Sequence, residues 1–431
     1  MRFSNFKNTV LFQISLTIIL VIIGCGNGKN NSIEFTELNP EMMGQENANT
    51  SISVGANQVG EYLQLLKGKN IAIVANQTSV LEVLERRAVN SSTMGSQKTT
   101  YHIVDYLHEY SSISVKKVFA PEHGFRGKAD AGELVKDGMD TKTGLPILSL
   151  HGKHKKPTKD QLHGIDILVF DIQDVGVRFY TYISTLHYVM EACAENNIPL
   201  VILDRPNPNG NYVDGPVLEK EHSSFLGMHP VPLVHGLTIG EYAQMINGEK
   251  WLKTDVTCDI SIVEVKNYTH NSTYSLPIRP SPNLPNDHAI ALYPSLGLFE
   301  GTHINAGRGT EFQFQRYGAP FLDKNFYQFS YTPVSNFGAK YPKHQNTVCY
   351  GRDLSNIKAD RSFTLKYILE AYKNTTDKSK FFKPSGFTSH AGNALLQRQI
   401  EMGLSESEIR ESWKPKLEAY KLMRQKYLIY K

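Results

Sequence analysis

The chain has 431 residues, with 46 Lys and Arg against 42 Asp and Glu, for a formal charge of +4. With no long basic run and no nucleic-acid motif, that balance excludes a DNA or RNA partner. At 40% hydrophobic and 20% charged residues the composition is globular, and the length suits two domains.

The first residues read as an export leader. Arg2 and Lys7 precede an apolar stretch, Val10 to Ile23, interrupted by Gln13, Ser15 and Thr17. The stretch falls short of the about 20 residues that span a bilayer and has the length of a signal-peptide core. It ends Ile22-Ile23-Gly24-Cys25, which resembles a bacterial lipobox: cleavage after small Gly24 and a lipid on Cys25. Acyl chains contribute about 0.8 kcal/mol per buried CH₂. Residues 1–24 are thus expected to be a signal peptide, and the protein a lipid-anchored resident of the cell envelope. Losing Arg2 and Lys7 takes the charge from +4 to +2. No apolar run of about 18 residues follows Cys25. Residues 25–52 are rich in Asn, Gly, Ser and Glu and read as a flexible tether. Three cysteines remain, Cys193, Cys258 and Cys349; their odd number and wide spacing predict isolated buried thiols.

Short apolar runs then alternate with helical patterns. Ile71–Ala75, Val115–Ala120, Pro146–Leu150, Asp166–Ile172 and Pro199–Leu203 read as strands. His102–Tyr110 reads as a helix with Ile103, Tyr106 and Leu107 on one side. Tyr182–Asn196 is another, with Leu186, Val189, Met190 and Cys193 inside. Continuous apolar strands separated by helices predict a mostly parallel sheet covered on both faces. Further on, Thr238–Asn247 reads as a helix, and 277–286 holds four prolines that forbid regular structure. A strand and a helix are expected within Asp353–Asn374. Ser405–Trp413 is expected as a short capped helix, and Pro415–Tyr427 as a separate terminal helix with the proline in its first turn. The fold class is α/β: a Rossmann-like domain over 53–225 and a smaller α/β domain over 226–431, changing near 215–240.

Ligands of such sheets sit past the carboxyl ends of the strands, where the polar clusters of this sequence fall. The absence of G-x-G-x-x-G after the first strand and of G-x-x-x-x-G-K-[ST] excludes dinucleotide and nucleoside triphosphate as cofactors, and none is expected. Pro121-Glu122-His123-Gly124 offers a carboxyl at a strand end. Apolar surroundings would raise its pKa and make it a proton donor, with His123 to orient it. Asp171, Gln173, Asp174, Arg178, Tyr180 and Tyr182 form the densest polar group, either a site or an internal Asp–Arg pair with packing tyrosines. Asp204-Arg205-Pro206-Asn207-Pro208 is a stiff loop suited to substrate binding or to structure. Asn283, Glu300, Asn305 and Arg308 come from the second half. Glu300 is a candidate second carboxylate, since glycosidases generally use two. No metal site is expected: H-E-x-x-H is missing, and His151 and His154 have no companion ligands. No G-x-S-x-G elbow or S-x-x-K with K-T-G supports a serine nucleophile.

The run from Phe119 to Glu133 resembles the signature of DUF1343, a bacterial family whose characterised members are exo-β-N-acetylmuramidases. The likeness continues through Thr143–Pro146, Val169–Tyr182, Leu203–Pro208, Gly215-Pro216, Ser281–Asn283, Gly297–Thr302, Gly307–Thr310, Trp413 and Tyr427–Tyr430. It covers nearly all of residues 55–430. It implies a glycoside hydrolase that removes terminal N-acetylmuramic acid from the non-reducing end of peptidoglycan fragments, with the site in the cleft between the two domains. The family's glutamate falls on Glu122; Glu300 and Asp171 both stand where a second group would. The lactyl carboxylate of muramic acid calls for a cation, Arg178 or Arg308, and its acetamide permits substrate-assisted catalysis. His123, Gln173, Tyr180, Arg205, Asn207 and Asn283 complete the expected binding set. The competing readings are a non-catalytic lipoprotein that binds cell-wall sugars and a muropeptide esterase or amidase.

Overall fold

The computed structural model describes residues 51–90, 93–127, 137–384 and 386–431. The leader, Cys25 and nearly all of the tether lie outside the described residues. The chain order is α1 (Val59–Leu66), β1 (Asn70–Ala75), β2 (Val80–Asn90), β3 (Thr93–His102), α2 (Ile103–His108), β4 (Ser114–Ala120), β5 (Gly138–Met139), β6 (Pro146–Ser149), α3 (Lys159–Leu162), β7 (Ile167–Asp171), α4 (Tyr182–Asn196) and β8 (Leu200–Leu203). It continues through β9 (Asp214–Val217), β10 (Pro232–Val234), α5 (Ile239–Gly248), β11 (Ile260–Val263), α6 (Asp287–Leu296), β12 (Arg316–Ala319), β13 (Phe329–Tyr331), β14 (Cys349–Asp353), α7 (Lys366–Lys373), α8 (Gly386–Ala391), α9 (Leu395–Glu401) and α10 (Glu406–Arg424).

The main sheet runs β11-β8-β7-β1-β4-β6-β5. Every pairing in it is parallel except that of β5 with β6. β1 and β7 are buried from Ile71 and Ile167 onward, which explains why these strands read as unbroken apolar runs. From β1 the chain first steps outward through β4 and β6. It then returns to the other side of β1 and continues through β7, β8 and β11. This is the Rossmann order, and the direction reverses between β1 and β7, where the strand ends open a crevice.

Two expectations are corrected. The sheet takes its edge strand β11 from Ile260–Val263, so the Rossmann-like part extends past residue 225. One apolar core then runs from Phe170 and Leu186 through Tyr242 to Leu298, Phe299 and Trp413. The two expected terminal helices are one, α10, with Pro415 inside it. Ile409, Trp413, Leu417 and Tyr420 are all buried from α10, and packing along that face carries the helix through the hydrogen bond that proline removes. The three thiols, Cys193, Cys258 and Cys349, are free and buried, as expected.

The smaller part is the antiparallel sheet β12-β14-β13 with α6 to α10. The chain end is stapled back onto the large sheet. Tyr430 donates its hydroxyl to Asp204 at 2.7 Å and accepts from Val265 N at 2.9 Å.

Candidate active site

The loops after β1, β4 and β7 are tied together at the crevice. Asn76 Nδ2 donates to the Tyr182 hydroxyl at 2.8 Å, and that hydroxyl donates to the Glu122 carbonyl at 3.3 Å. Thr181 Oγ1 donates to Glu122 Oε2 at 3.0 Å. His123 follows with φ of 71°, a left-handed conformation that costs a non-glycine residue about 1–2 kcal/mol. Such strain persists where surrounding contacts over-determine it, often at functional sites.

The opposite wall comes from the smaller part. Helix α6 ends in a tight turn, Gly297–Gly301, that carries Glu300. Arg308 Nε lies 3.3 Å from Glu300 Oε1. Lys343 Nζ donates to the carbonyls of Phe299 (2.8 Å) and Ile304 (3.0 Å), and Lys383 Nζ to that of Glu300 (3.1 Å). Burial works to raise the Glu300 pKa, but Arg308, Lys343, His390 and Lys383 outweigh it and hold it at about 2. Burial lowers Lys343 to about 8, opposed by Glu300 and aided by Lys383 and Arg308.

Between these walls lies a cavity of about 270 Å³, lined by Glu122, His123, Tyr180, Asn283, Glu300 and Arg308 among others. It lies just under the usual volume of ligand sites and has room for a single sugar unit. Tyr180 donates to the Pro280 carbonyl at 2.7 Å, which leaves its ring as wall. Asn283 Nδ2 donates to the Gly338 carbonyl at 2.7 Å; its Oδ1 is a buried acceptor with no protein partner among the described residues.

Five expected site residues lie off this wall. Asp171 and Arg205 bond each other through Nε–Oδ1 at 2.6 Å and Nη2–Oδ2 at 2.9 Å, both fully buried, and Arg205 also caps the Val80 carbonyl. Asp171 is thus the internal partner of an arginine, not a second catalytic carboxylate. Arg178 is 0% exposed and donates to the carbonyls of Pro216, Val231, His390 and Ala391. It has no spare face for a substrate carboxylate and acts on the site by fixing the backbone at His390, which lines the cavity. Gln173 donates to the carbonyls of Asp174 and Pro206, and Asn207 to that of Leu237; both cross-brace loops. Buried polar groups need such partners, and these strand-end residues found them in the backbone.

The sequence reading missed Thr181, Lys343, Lys383, Tyr293, Phe314 and His390. Thr181 stood between the two tyrosines already singled out and was legible. The two lysines carry no motif that sets them apart. Among the described residues, metal-ligating atoms converge only at Glu219, Glu221 and His222, which do not line the cavity; Glu219 already pairs with Lys416 at 2.6 Å.

Residues 71–288 match the family model described as exo-beta-N-acetylmuramidase NamZ, N-terminal, and residues 291–430 match its C-terminal counterpart. The chain belongs to the NamZ family. The peptidoglycan beta-N-acetylmuramidase NamZ of Bacillus subtilis (strain 168) is 39% identical over 388 residues, covering 86% of this chain and 89% of that protein. Two DUF1343 family proteins from Bacteroides fragilis NCTC 9343, known from crystal structures, superpose with TM-scores of 0.77 and 0.70. They are 42% and 26% identical to this chain, each match covering 88% of it and 99% of the relative. The two NamZ models meet between residues 288 and 291, inside α6, whose chain leads directly to Glu300.

Proposed function

We propose that the protein is an exo-acting glycoside hydrolase that releases terminal β-linked N-acetylmuramic acid from the non-reducing end of peptidoglycan fragments. Membership of the NamZ family supports this reading. The observation that carries it is one cavity lined by two carboxyl groups, Glu122 hydrogen-bonded by Thr181 and Glu300 paired with Arg308. Glu300, held at about 2, is ionised at any working pH and has no proton to give. The proton donor of the pair is therefore Glu122, a division of roles set by environment. Glu122 protonates the glycosidic oxygen as the bond from the anomeric carbon to that oxygen breaks. The acetamide oxygen of the same sugar attacks the anomeric carbon from the other face. Glu122, now a carboxylate, then takes a proton from the water that opens the resulting ring.

The test is release from a chromogenic β-N-acetylmuramic acid glycoside. Glu122→Gln is expected to lower kcat by about 100-fold or more in a protein that still folds. Undiminished release would remove Glu122 from the mechanism.

We further propose that Cys25 carries a lipid and that the protein works in the cell envelope beside the fragments it trims. The support is the leader sequence ending at Gly24-Cys25. Cys25→Ala protein should leave the membrane fraction and still hydrolyse soluble substrate; membrane retention of that variant would refute the anchor.

A further inference from the structure

Arg308 is the one Arg or Lys side chain on the cavity lining among the described residues. Its Nε faces Glu300, and its guanidinium carbon lies 5.4 Å from the Phe314 ring centroid. That arrangement orients the fork but occupies only one side of it. Among the described residues neither Nη atom donates to a protein acceptor, which leaves the edge of the guanidinium that suits bidentate pairing with a planar anion.

The surrounding charge is out of balance. Arg308, Lys343 and Lys383 bring three positive charges to one carboxylate, Glu300. Lys343 and Lys383 are satisfied only by carbonyls, and among the described residues neither has a carboxylate partner. Repulsion among cations in a partly desolvated corner is costly, and a protein that wanted only to ionise Glu300 would need one of them. A net positive corner at the wall of a sugar-sized cavity is arranged for an anion.

We propose that this corner binds the carboxylate of a sugar acid. In the reaction proposed above, on which this inference rests, that group is the 3-O-lactyl carboxylate of the terminal muramic acid. Arg308 reads it through both Nη atoms, Glu300 aims Arg308, and Lys343 and Lys383 supply the field behind. The enzyme then selects its substrate by this charge and disfavours the otherwise similar N-acetylglucosamine.

Three chromogenic β-glycosides test this on the full chain: N-acetylmuramic acid, its lactyl N-methylamide, and N-acetylglucosamine. Wild type is expected to prefer the acid by about 100-fold in kcat/KM, the scale on which a buried charge partner acts. In Arg308→Met that preference should collapse, chiefly through KM. Lys383→Met should lower it by about tenfold and make the remainder more sensitive to salt. Arg308→Lys, checked for folding by circular dichroism, should keep only part of the preference, since an ammonium lacks the planar fork. Equal losses on all three glycosides in Arg308→Met, or an unchanged preference, would overturn the proposal. If wild type hydrolyses none of the three, the functional reading fails. Calorimetric binding of free N-acetylmuramic acid against N-acetylglucosamine, in wild type and Arg308→Met, then judges the corner by itself.

Discussion

Thr181 Oγ1 and Glu122 Oε2 are hydrogen-bonded at 3.0 Å although they belong to loops that leave different strands, β7 and β4. The bond fixes one oxygen of the proposed acid against the start of α4. A carboxyl that must reach a glycosidic oxygen depends on such fixing, because misplacement by about 1 Å can cost 100-fold in rate.

Thr181→Val, which keeps the shape and removes the donor, should therefore lower kcat by about tenfold or more with little change in KM. Thr181→Ser should restore most of the rate. Steady-state kinetics on the muramic acid glycoside check this. An unchanged kcat in Thr181→Val would mean that the hydroxyl does not position Glu122.

Lys343 predicts a pH dependence. Burial has brought its pKa from 10.5 down to about 8, so the corner loses a positive charge as pH rises through that value. An anionic ligand favours the protonated lysine, and by linkage its binding weakens where the lysine deprotonates. KM for the muramic acid glycoside should rise above about pH 8, while KM for the uncharged N-acetylglucosamine glycoside should not follow it. Parallel KM profiles for the two would count against Lys343 acting through charge.

The Asp171–Arg205 pair predicts a stability effect without a chemical one. Removing one member of a buried ion pair leaves the other charge unpaired and costs about 3–5 kcal/mol. Asp171→Ala should lower the urea midpoint accordingly, and Asp171→Leu with Arg205→Met should recover part of the loss. Activity per folded molecule should stay within about threefold of wild type in Asp171→Ala. A loss of several hundredfold in folded protein would return Asp171 to the reaction.

Much of the fold was legible. β1, β7 and β8 were found because strands buried on both faces must be apolar throughout. α4 was found because its inner face repeats with helical spacing. The hairpin β2–β3 was not: Val80–His102 is rich in charged and polar residues, and it is paired strand to strand apart from the main sheet. No two-residue turn of the Asn-Gly kind announces it. Pro415 misled for a related reason, since local chemistry stops a helix there and only distant packing continues it.

The site divides in the same way. The sequence by itself located the chemistry-bearing segments: polar loops follow the carboxyl ends of parallel strands and Glu122 stands on one of them, while Glu300 and Arg308 stand in motifs of the smaller part, Glu300 on the turn that ends α6. Tertiary structure alone decided which of those polar groups face the cavity. A buried arginine or carboxylate needs a partner wherever it sits. Asp171 found Arg205, Arg178 found four carbonyls, and Gln173 and Asn207 found loops to brace. Glu300 instead gathered Arg308, Lys343 and Lys383 from separate segments. Sequence spacing carries no record of that convergence, because the field at a carboxylate depends on distance through space and not along the chain.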